Sequence, residues 1–341
     1  MLEYKNDKWK ALLALGPTLV LMAIFTFYPI FNTFFTSFME GYTFNVWYDT
    51  RYAIGWLEHF GETIVRTEYD AAGNIIGETS TFVGLGIGNF VRLFKDGTFI
   101  KALKNTAIIV IVSVPISVII ALLISVALNG IGKLQGFFQT VYFLPYVTNT
   151  IALGLVFSVM FASRSGLVNS LLVSLGMEPV AWISSLGTNN NPTYASALFV
   201  LTLYTIWNGL AFKILVFLSG LQSIDKQYYQ AAQIDNASRW RVFSKVTVPL
   251  LSPMIAYITI TSFIGSFKTY THVISVFNGR YGPASDPNML ITVVGYIYDA
   301  LAQMSAMGKL AQASAAALVL FVIILLITLV QLWVNKKKVH Y

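Results

Sequence analysis

The sequence predicts an all-α membrane protein with six transmembrane helices, from its composition, its apolar runs and the charges of its loops. Hydrophobic residues make up 56% of the 341 positions and charged residues 11%, whereas a soluble domain carries roughly 45–50% and about 25%. A water-soluble fold of this size could not cover its surface with so few charges. The net charge of +7 does not indicate nucleic-acid binding, because the basic residues lie at the ends of apolar runs.

Six stretches are long and apolar enough to cross a bilayer, which takes about 20 residues. The first contains Pro17 and Pro29, which we expect to kink it. It is too long for a signal peptide and is not followed by a small-residue cleavage site. The predicted spans are residues 11–38, 104–128, 137–161, 194–220, 253–276 and 310–334.

Lys and Arg concentrate in alternate loops, and this bias orients the chain. Basic residues precede the first span, follow the sixth, and occupy the loops after the second and fourth. We therefore expect both termini and the loop after the fourth span to be cytoplasmic. The basic residues of this side are Lys5, Lys8, Lys10, Lys133, Lys226, Arg239, Arg241, Lys245, Lys336, Lys337 and Lys338.

The predicted organisation has three parts: residues 1–38, a cytoplasmic N-terminus with the first span; residues 39–100, an extracytoplasmic loop; and residues 101–341, a core of five spans. Inside the loop, residues 63–69 alternate as a half-buried strand does. Residues 70–74 then predict a turn, and residues 75–82 a returning strand. We expect a small external β-hairpin there, which is either a solvated insertion or a docking surface for an external protein. Apolar residues at 90, 93, 94 and 100 then predict an interfacial helix.

No group on this chain predicts catalysis, a metal site or a bound cofactor. Cysteine is absent, and His59, His272 and His340 show no metal-binding spacing. A G-x-x-x-x-G-K phosphate loop is also absent from the sequence, so the chain does not hold ATP by that route.

The loop after the fourth span has the pattern of a helix, a turn and a second helix closed by Pro249. Asp225 stands at a helix N-terminus, where an acidic side chain meets the positive end of the helix dipole. Ala231 and Ala232 form a small, smooth face that another surface could approach closely. Asn236 falls at the turn and tolerates a left-handed backbone.

This loop resembles the EAA loop of binding-protein-dependent ABC transporter permeases, whose pattern is E-A-A, three residues, G-A, a spacer and a hydrophobic-x-L-P ending. Gln230 stands where the family has Glu, and Asn236 where it has Gly. In that family the short helix inserts into a cleft on a cytoplasmic ATPase and transmits its closure to the membrane helices. The resemblance therefore implies these ATPase-coupling residues: Gln230, Ala231, Ala232, Asp235, Asn236, Ala237 and Pro249.

Residues 84–106, 207–210 and 220–224 resemble the sugar-importing branch of the family, which includes the maltose and glycerol-phosphate importers; residues 40–82 have no counterpart. The resemblance implies a multi-pass subunit in the bacterial cytoplasmic membrane that imports a sugar or oligosaccharide. Its implied partners are a second, homologous permease subunit forming a heterodimer, two ATP-binding subunits, an extracytoplasmic solute-binding protein and membrane lipid, with no nucleic acid.

Polar residues inside the spans are the candidates for a substrate pathway. On the fifth span Tyr257, Thr261, Gly265, Lys268 and His272 recur at spacings of 4, 4, 3 and 4, so we expect one shared helix face. That face either lines the pathway or packs against another helix through its small residues.

The fourth span adds Tyr204, Asn208 and Phe212, a stripe suited to stacking and hydrogen bonding with a sugar. Lys268 either donates hydrogen bonds to the hydroxyls of a neutral oligosaccharide or attracts a carboxylate-bearing sugar. For Lys213 we expect the aliphatic part of the side chain to extend along the helix, so that the ammonium group reaches the membrane interface. The predicted pathway residues are Tyr204, Asn208, Thr261, Lys268 and His272.

Two other classes of function remain open from the residues alone. An ion-coupled secondary carrier should show an internal repeat and buried acidic residues, but the spans contain almost no Asp or Glu. A membrane-embedded transferase should show paired carboxylates or a His near an Asp, and no such arrangement is evident.

Overall fold

The structure is a computed structural model that describes residues 8–42, 60–69, 75–131, 134–187, 190–303 and 309–338. These residues fall into two compact units. Unit 1 consists of the described parts of Met1–Phe99 and Tyr296–Phe321, and unit 2 of those of Ile100–Gly295 and Val322–Tyr341.

The first span is helix α1 (Lys8–Met22), a π-helical turn (Ala23–Phe27) and helix α2 (Tyr28–Phe38). The backbone N–H of Tyr28 bonds to the carbonyl of Ala23, five residues back. This wider turn directly precedes Pro29, whose ring would otherwise press on the carbonyl four residues earlier. The predicted distortion at Pro29 therefore takes the form of a π-helical turn.

Two small antiparallel sheets follow. Strands β2 (Thr63–Tyr69) and β3 (Ile75–Phe82) form the predicted hairpin, with Thr63 opposite Phe82. The predicted turn at residues 70–74 lies outside the described residues. Strand β1 (Met39–Glu40) pairs with β4 (Gly84–Leu85), which the sequence did not predict. That pairing returns the chain to the end of α2 after the insertion.

Helix α3 (Gly88–Lys95) occupies the position of the predicted interfacial helix. The Glu40 carboxylate accepts a hydrogen bond from the Gly88 N–H at 2.7 Å and pairs with Arg92 at 3.5 Å. The Asn89 amide donates to the carbonyl of Ser37 at 3.0 Å. These contacts attach the start of α3 to the end of α2.

Four helical segments are long and apolar enough to cross a membrane, and two bent pairs, α5 with α6 and α10 with α11, qualify if each pair is one span. The described residues thus give four to six candidate spans, and the all-α membrane fold is confirmed. The remaining helices are α4 (Gly97–Asn129), α5 (Gln135–Val147), α6 (Thr150–Met160), α7 (Leu167–Ser174), α8 (Tyr194–Ser223), α9 (Lys226–Ile234), α10 (Arg239–Leu250), α11 (Ser252–Phe267), α12 (Thr271–Val276), α13 (Val293–Ala302) and α14 (Lys309–Lys338).

Two predicted spans are not continuous helices. The third bends by 96° between α5 and α6, where Asn149 caps α6 by accepting from the Ile151 N–H at 2.8 Å. The fifth ends at Phe267 and resumes at Thr271. In this second break the Thr292 hydroxyl donates to the carbonyl of Thr269 at 2.8 Å, so a freed backbone acceptor is satisfied without helix.

The core of unit 2 forms where α6, α8 and α12 pack together. Its fully buried members include Val200, Leu201, Tyr204 and Val273. The closest approach is at Gly154 on α6, because a Cβ added there would lie 2.0 Å from the Ser275 hydroxyl oxygen on α12. In unit 1, the alanine-rich start of α14 is buried at residues 311, 313, 315 and 316.

Candidate functional site

The loop after α8 is the predicted helix, turn and helix. The Asp225 carboxylate caps α9 by accepting from the Gln227 N–H at 2.9 Å. Asn236 has a φ of 49°, so the predicted left-handed turn is confirmed. The Ser238 hydroxyl then caps α10 by accepting from the Arg241 N–H at 3.3 Å.

One predicted feature of α9 is wrong, because its two alanines do not form a single outward face. Ala231 is exposed, but Ala232 is buried at 9% exposure within its own chain. The two helices of the loop also contact each other, because the hydroxyls of Tyr229 and Thr247 lie 3.4 Å apart. Of the other predicted coupling residues, Gln230, Asp235, Asn236 and Pro249 are exposed and Ala237 is half-buried.

Two apolar side chains that we did not predict extend the exposed surface of α9. Tyr228 is 54% exposed and Ile234 is 86% exposed. With Ala231 they recur every three residues, a spacing that places them along one side of the helix. We call Tyr228, Ala231 and Ile234 the α9 outer face.

Helix α10 ends at Leu250, one residue after the predicted end at Pro249. The Val248 N–H bonds to the carbonyl of Phe243 across a π-helical turn (Phe243–Thr247), and the Leu251 N–H still bonds to Thr247 at 3.0 Å. The wider turn accommodates the proline ring, as it does before Pro29. The chain then bends by 68° into α11.

Three predicted pathway residues meet in unit 2. Tyr204 is fully buried on α8, and its hydroxyl donates to the carbonyl of Thr150 at the start of α6. Its ring lies edge-on to the His272 imidazole, with centroids 5.2 Å apart. The His272 Nε2 lies 3.2 Å from the Asn208 Oδ1. We call Tyr204, Asn208 and His272 the polar cluster.

The other two predicted pathway residues lie apart from that arrangement. Thr261 turns its hydroxyl to its own helix and donates to the carbonyl of Tyr257 at 2.8 Å. Lys268 is exposed at the C-terminus of α11. The predicted single helix face is wrong, because Tyr270, at φ −137° and ψ −55°, leaves the helical conformation before His272.

Lys213 on α8 is a buried cation that the sequence did not predict as a pathway residue. It is only 8% exposed, so the expected extension to the interface is wrong. A Cβ at Gly209 would lie 2.9 Å from its Nζ. In the described ranges it forms no ion pair with a carboxylate. A glycine one turn earlier was the sequence signal for this packing.

Aromatic side chains of α5, α6 and α8 pack against one another, one of them on the polar cluster, and several remain accessible. Phe157 packs on Tyr204 at 5.0 Å and on Trp207 at 5.3 Å between ring centroids. Tyr146 stacks on Phe212 at 5.8 Å with the planes 22° apart. Trp207, Phe212 and Tyr146 are 36%, 38% and 54% exposed. A sugar ring can stack on these accessible aromatic faces, and its hydroxyls can form hydrogen bonds with the amide and imidazole groups.

Residues 80–340 match the family model described as binding-protein-dependent transport system inner membrane component. The chain belongs to this family. It is 37% identical over 218 residues to the lactose transport system permease protein LacF of Rhizobium radiobacter, covering 63% of this chain and 69% of that protein. It is 33% identical over 264 residues to the arabinooligosaccharides transport system permease protein AraP of Bacillus subtilis, covering 75% and 76%.

A solved bacterial ABC transporter involved in the import of the acidic polysaccharide alginate has the same fold. The TM-score is 0.74 at 19% identity, with 98% of this chain and 97% of that chain covered. As an inner membrane component of a binding-protein-dependent system, the chain is a permease subunit and not an enzyme. The matched residues 80–340 contain both the polar cluster and the loop of α9 and α10.

Proposed function

We propose that this chain is one permease half of an ABC importer that carries a sugar or oligosaccharide across the cytoplasmic membrane. ATP hydrolysis takes place on separate subunits. The observation that carries the proposal is the polar cluster, in which Tyr204 of α8 bonds to the start of α6 and Asn208 of α8 contacts His272 of α12. Both α6 and α12 begin at a break in a predicted span, and α8 also carries accessible aromatic rings. Broken helices place irregular backbone and polar groups where a transport cavity needs them. The LacF and AraP relatives, named for lactose and arabinooligosaccharides, support the sugar class.

Coupling to the ATPase falls to the loop of α9 and α10. The α9 outer face is exposed and apolar, and Gln230, Asp235 and Asn236 around it are exposed as well. A small helix with an uncovered apolar face suits insertion into a cleft of another protein. Ala232 is buried and Ala237 half-buried within the chain's own structure, and Pro249 lies exposed near the end of α10. We place this loop and both termini in the cytoplasm.

The complete importer needs four partner proteins. These are a second, homologous permease subunit, two ATP-binding subunits and an extracytoplasmic solute-binding protein. We place the β2–β3 hairpin outside the membrane. It lies almost wholly ahead of the matched residues 80–340.

Lys213 favours a carboxylate-bearing sugar as a second candidate substrate. A buried ammonium without a counter-charge is strongly disfavoured, and in the described ranges Lys213 forms no ion pair. A uronic-acid group of a substrate bound beside Lys213 would supply the missing charge. Lys268 is exposed, so it is the weaker candidate for this role.

The test is uptake by the importer reconstituted in proteoliposomes with its partner subunits. Labelled arabinooligosaccharide, lactose and an oligouronate are offered in parallel, with ATP inside and solute-binding protein outside. We expect ATP-dependent uptake of at least one sugar, and its loss in Asn208→Ala. Thr261→Ala is the matched control, because its hydroxyl bonds only within its own helix. Uptake without ATP, or equal uptake by Asn208→Ala, would contradict the proposal.

A further inference from the structure

Helix α10 has the surface of a membrane-interface helix and not that of a loop in water. Trp240 is 73% exposed and stacks on Phe243 with ring centroids 5.4 Å apart. Arg239, Arg241 and Lys245 are all exposed. A helix with an exposed Trp beside Lys and Arg is typical of segments that lie in the headgroup layer.

The charge of α10 is uncompensated. Arg239, Arg241 and Lys245 form no ion pair in the part of the chain that the structure describes. No Asp or Glu occurs between residues 236 and 285. Three positive charges within seven residues therefore face outward without an internal partner. The cognate surface must be anionic.

The direction of α10 places it beside the bilayer surface. It meets α11 at a bend of 68°. Because transmembrane helices tilt by about 20° on average, α10 is inclined by roughly 50–90° to the membrane normal. Helix α11 has 16 residues, about 24 Å at ~1.5 Å per residue, and the chain continues apolar through α12. The span thus does not need α10 to cross the membrane.

We propose that α10 is an anchor on the membrane surface, with Trp240 seated among the lipid headgroups and Arg239, Arg241 and Lys245 bound to the phosphates of anionic phospholipids. The Tyr229–Thr247 contact ties α9 to α10, so the anchor also fixes the depth at which the α9 outer face is presented. That consequence for coupling rests on the proposed function, whereas the anchoring itself does not.

The first experiment uses the full chain in nanodiscs, where the absence of cysteine allows single labels. Ser244→Cys carries a polarity-sensitive fluorophore one turn after Trp240. Gln233→Cys on α9, which is exposed, is the matched control. Phosphatidylcholine bearing a headgroup nitroxide is the quencher. We expect strong quenching at position 244 and little at 233.

The second experiment measures the charge contribution with the same label at position 244. Arg241→Gln and Lys245→Gln are compared, singly and together, in phosphatidylcholine and in mixtures with phosphatidylglycerol. Each charge removed should shift the equilibrium between bound and released α10 by roughly five-fold, since one basic residue near an anionic surface contributes about a factor of that size. Lys226→Gln, a basic residue of α9, should leave it unchanged. High salt should reduce the wild-type effect.

Several outcomes would overturn the anchor. Equal quenching at positions 244 and 233 would place α10 away from the bilayer. If quenching does not depend on phosphatidylglycerol or on either substitution, anionic headgroups do not hold α10 at the membrane. If the fluorescence of the label at position 244 does not change with lipid and changes only when ATP-binding subunits are added, the exposed surface of α10 binds the ATPase. Because the label is read in an otherwise unchanged chain, a poorly folded double variant does not affect that result.

Discussion

The contact between Gly154 and Ser275 is the tightest test of how α6 and α12 hold the polar cluster. In Gly154→Ala the new methyl group would lie 2.0 Å from the Ser275 Oγ and 2.3 Å from its Cβ. Both distances are far below van der Waals contact, so α12, which carries His272, must move away from α6. Overpacking of this kind costs about 1–3 kcal/mol. For a chain of this size we expect the apparent Tm to fall by roughly 2–12 °C.

Second-site variants separate steric overlap from other causes. Ser275→Ala keeps the Cβ, so it should not relieve Gly154→Ala. Ser275→Gly removes both overlapping atoms and leaves only the Ser275 carbonyl carbon at 3.2 Å, so it should restore most of the lost stability. The glycine itself costs about 1 kcal/mol in a helix, which limits the rescue.

The assay is thermal unfolding of the purified chain in detergent, followed by uptake in proteoliposomes. Gly265→Ala is the matched control, because no atom lies within 4 Å of a Cβ built there. That substitution should be neutral or stabilise by up to ~1 kcal/mol. An unchanged Tm for Gly154→Ala, or an equal rescue by Ser275→Ala, would refute the packing argument.

Three further predictions concern the two functional regions. Ile234→Asp should abolish sugar-stimulated ATP hydrolysis, because it places a charge in the apolar α9 outer face, whereas Gln233→Asp should retain it; the measurement is ATPase activity of the reconstituted importer, and equal activity would reject docking through Ile234. Lys213→Met should lower uptake of an oligouronate at least ten-fold with little effect on a neutral sugar, and Lys268→Gln should change neither; a matching loss for both sugars would remove the charge argument. Asn236→Gly should be tolerated and Asn236→Ala should lower the Tm by the equivalent of about 1 kcal/mol, because the residue has a φ of 49°; equal melting temperatures would show that the turn does not constrain the loop.

Local patterns in the sequence predicted what local physics decides. Alternation of side chains in the first strand, and the turn residues after it, predicted both hairpin strands at the residues where the structure has them, 63–69 and 75–82. The left-handed turn at Asn236 followed from the residue type alone. In each case the deciding interactions lie within a few residues of one another.

The breaks in the third and fifth spans could not be predicted in this way. A hydropathy profile shows that a stretch is apolar, but it does not show where the backbone leaves the helical conformation. The break after Phe267 depends on Thr292, more than twenty residues further on, which bonds the carbonyl of Thr269. The burial of Lys213 likewise depends on how the surrounding helices pack, and a span that is apolar on every side does not reveal its inward face.

The loop of α9 and α10 and the polar-cluster residue His272 belong to one continuous stretch of chain, from α9 at residue 226 to α12 at residue 276. The stretch changes direction at two places, the 68° bend at Leu251 and the break at residues 268–270. Straight helical segments transmit displacement, whereas bends with few backbone hydrogen bonds absorb it. Movement imposed on α9 and carried along the chain must therefore pass both places before it reaches His272, and each place can absorb part of it. For this reason Gly154→Ala, which displaces α12 beyond the second break, should reduce uptake while leaving the attachment of the ATP-binding subunits intact.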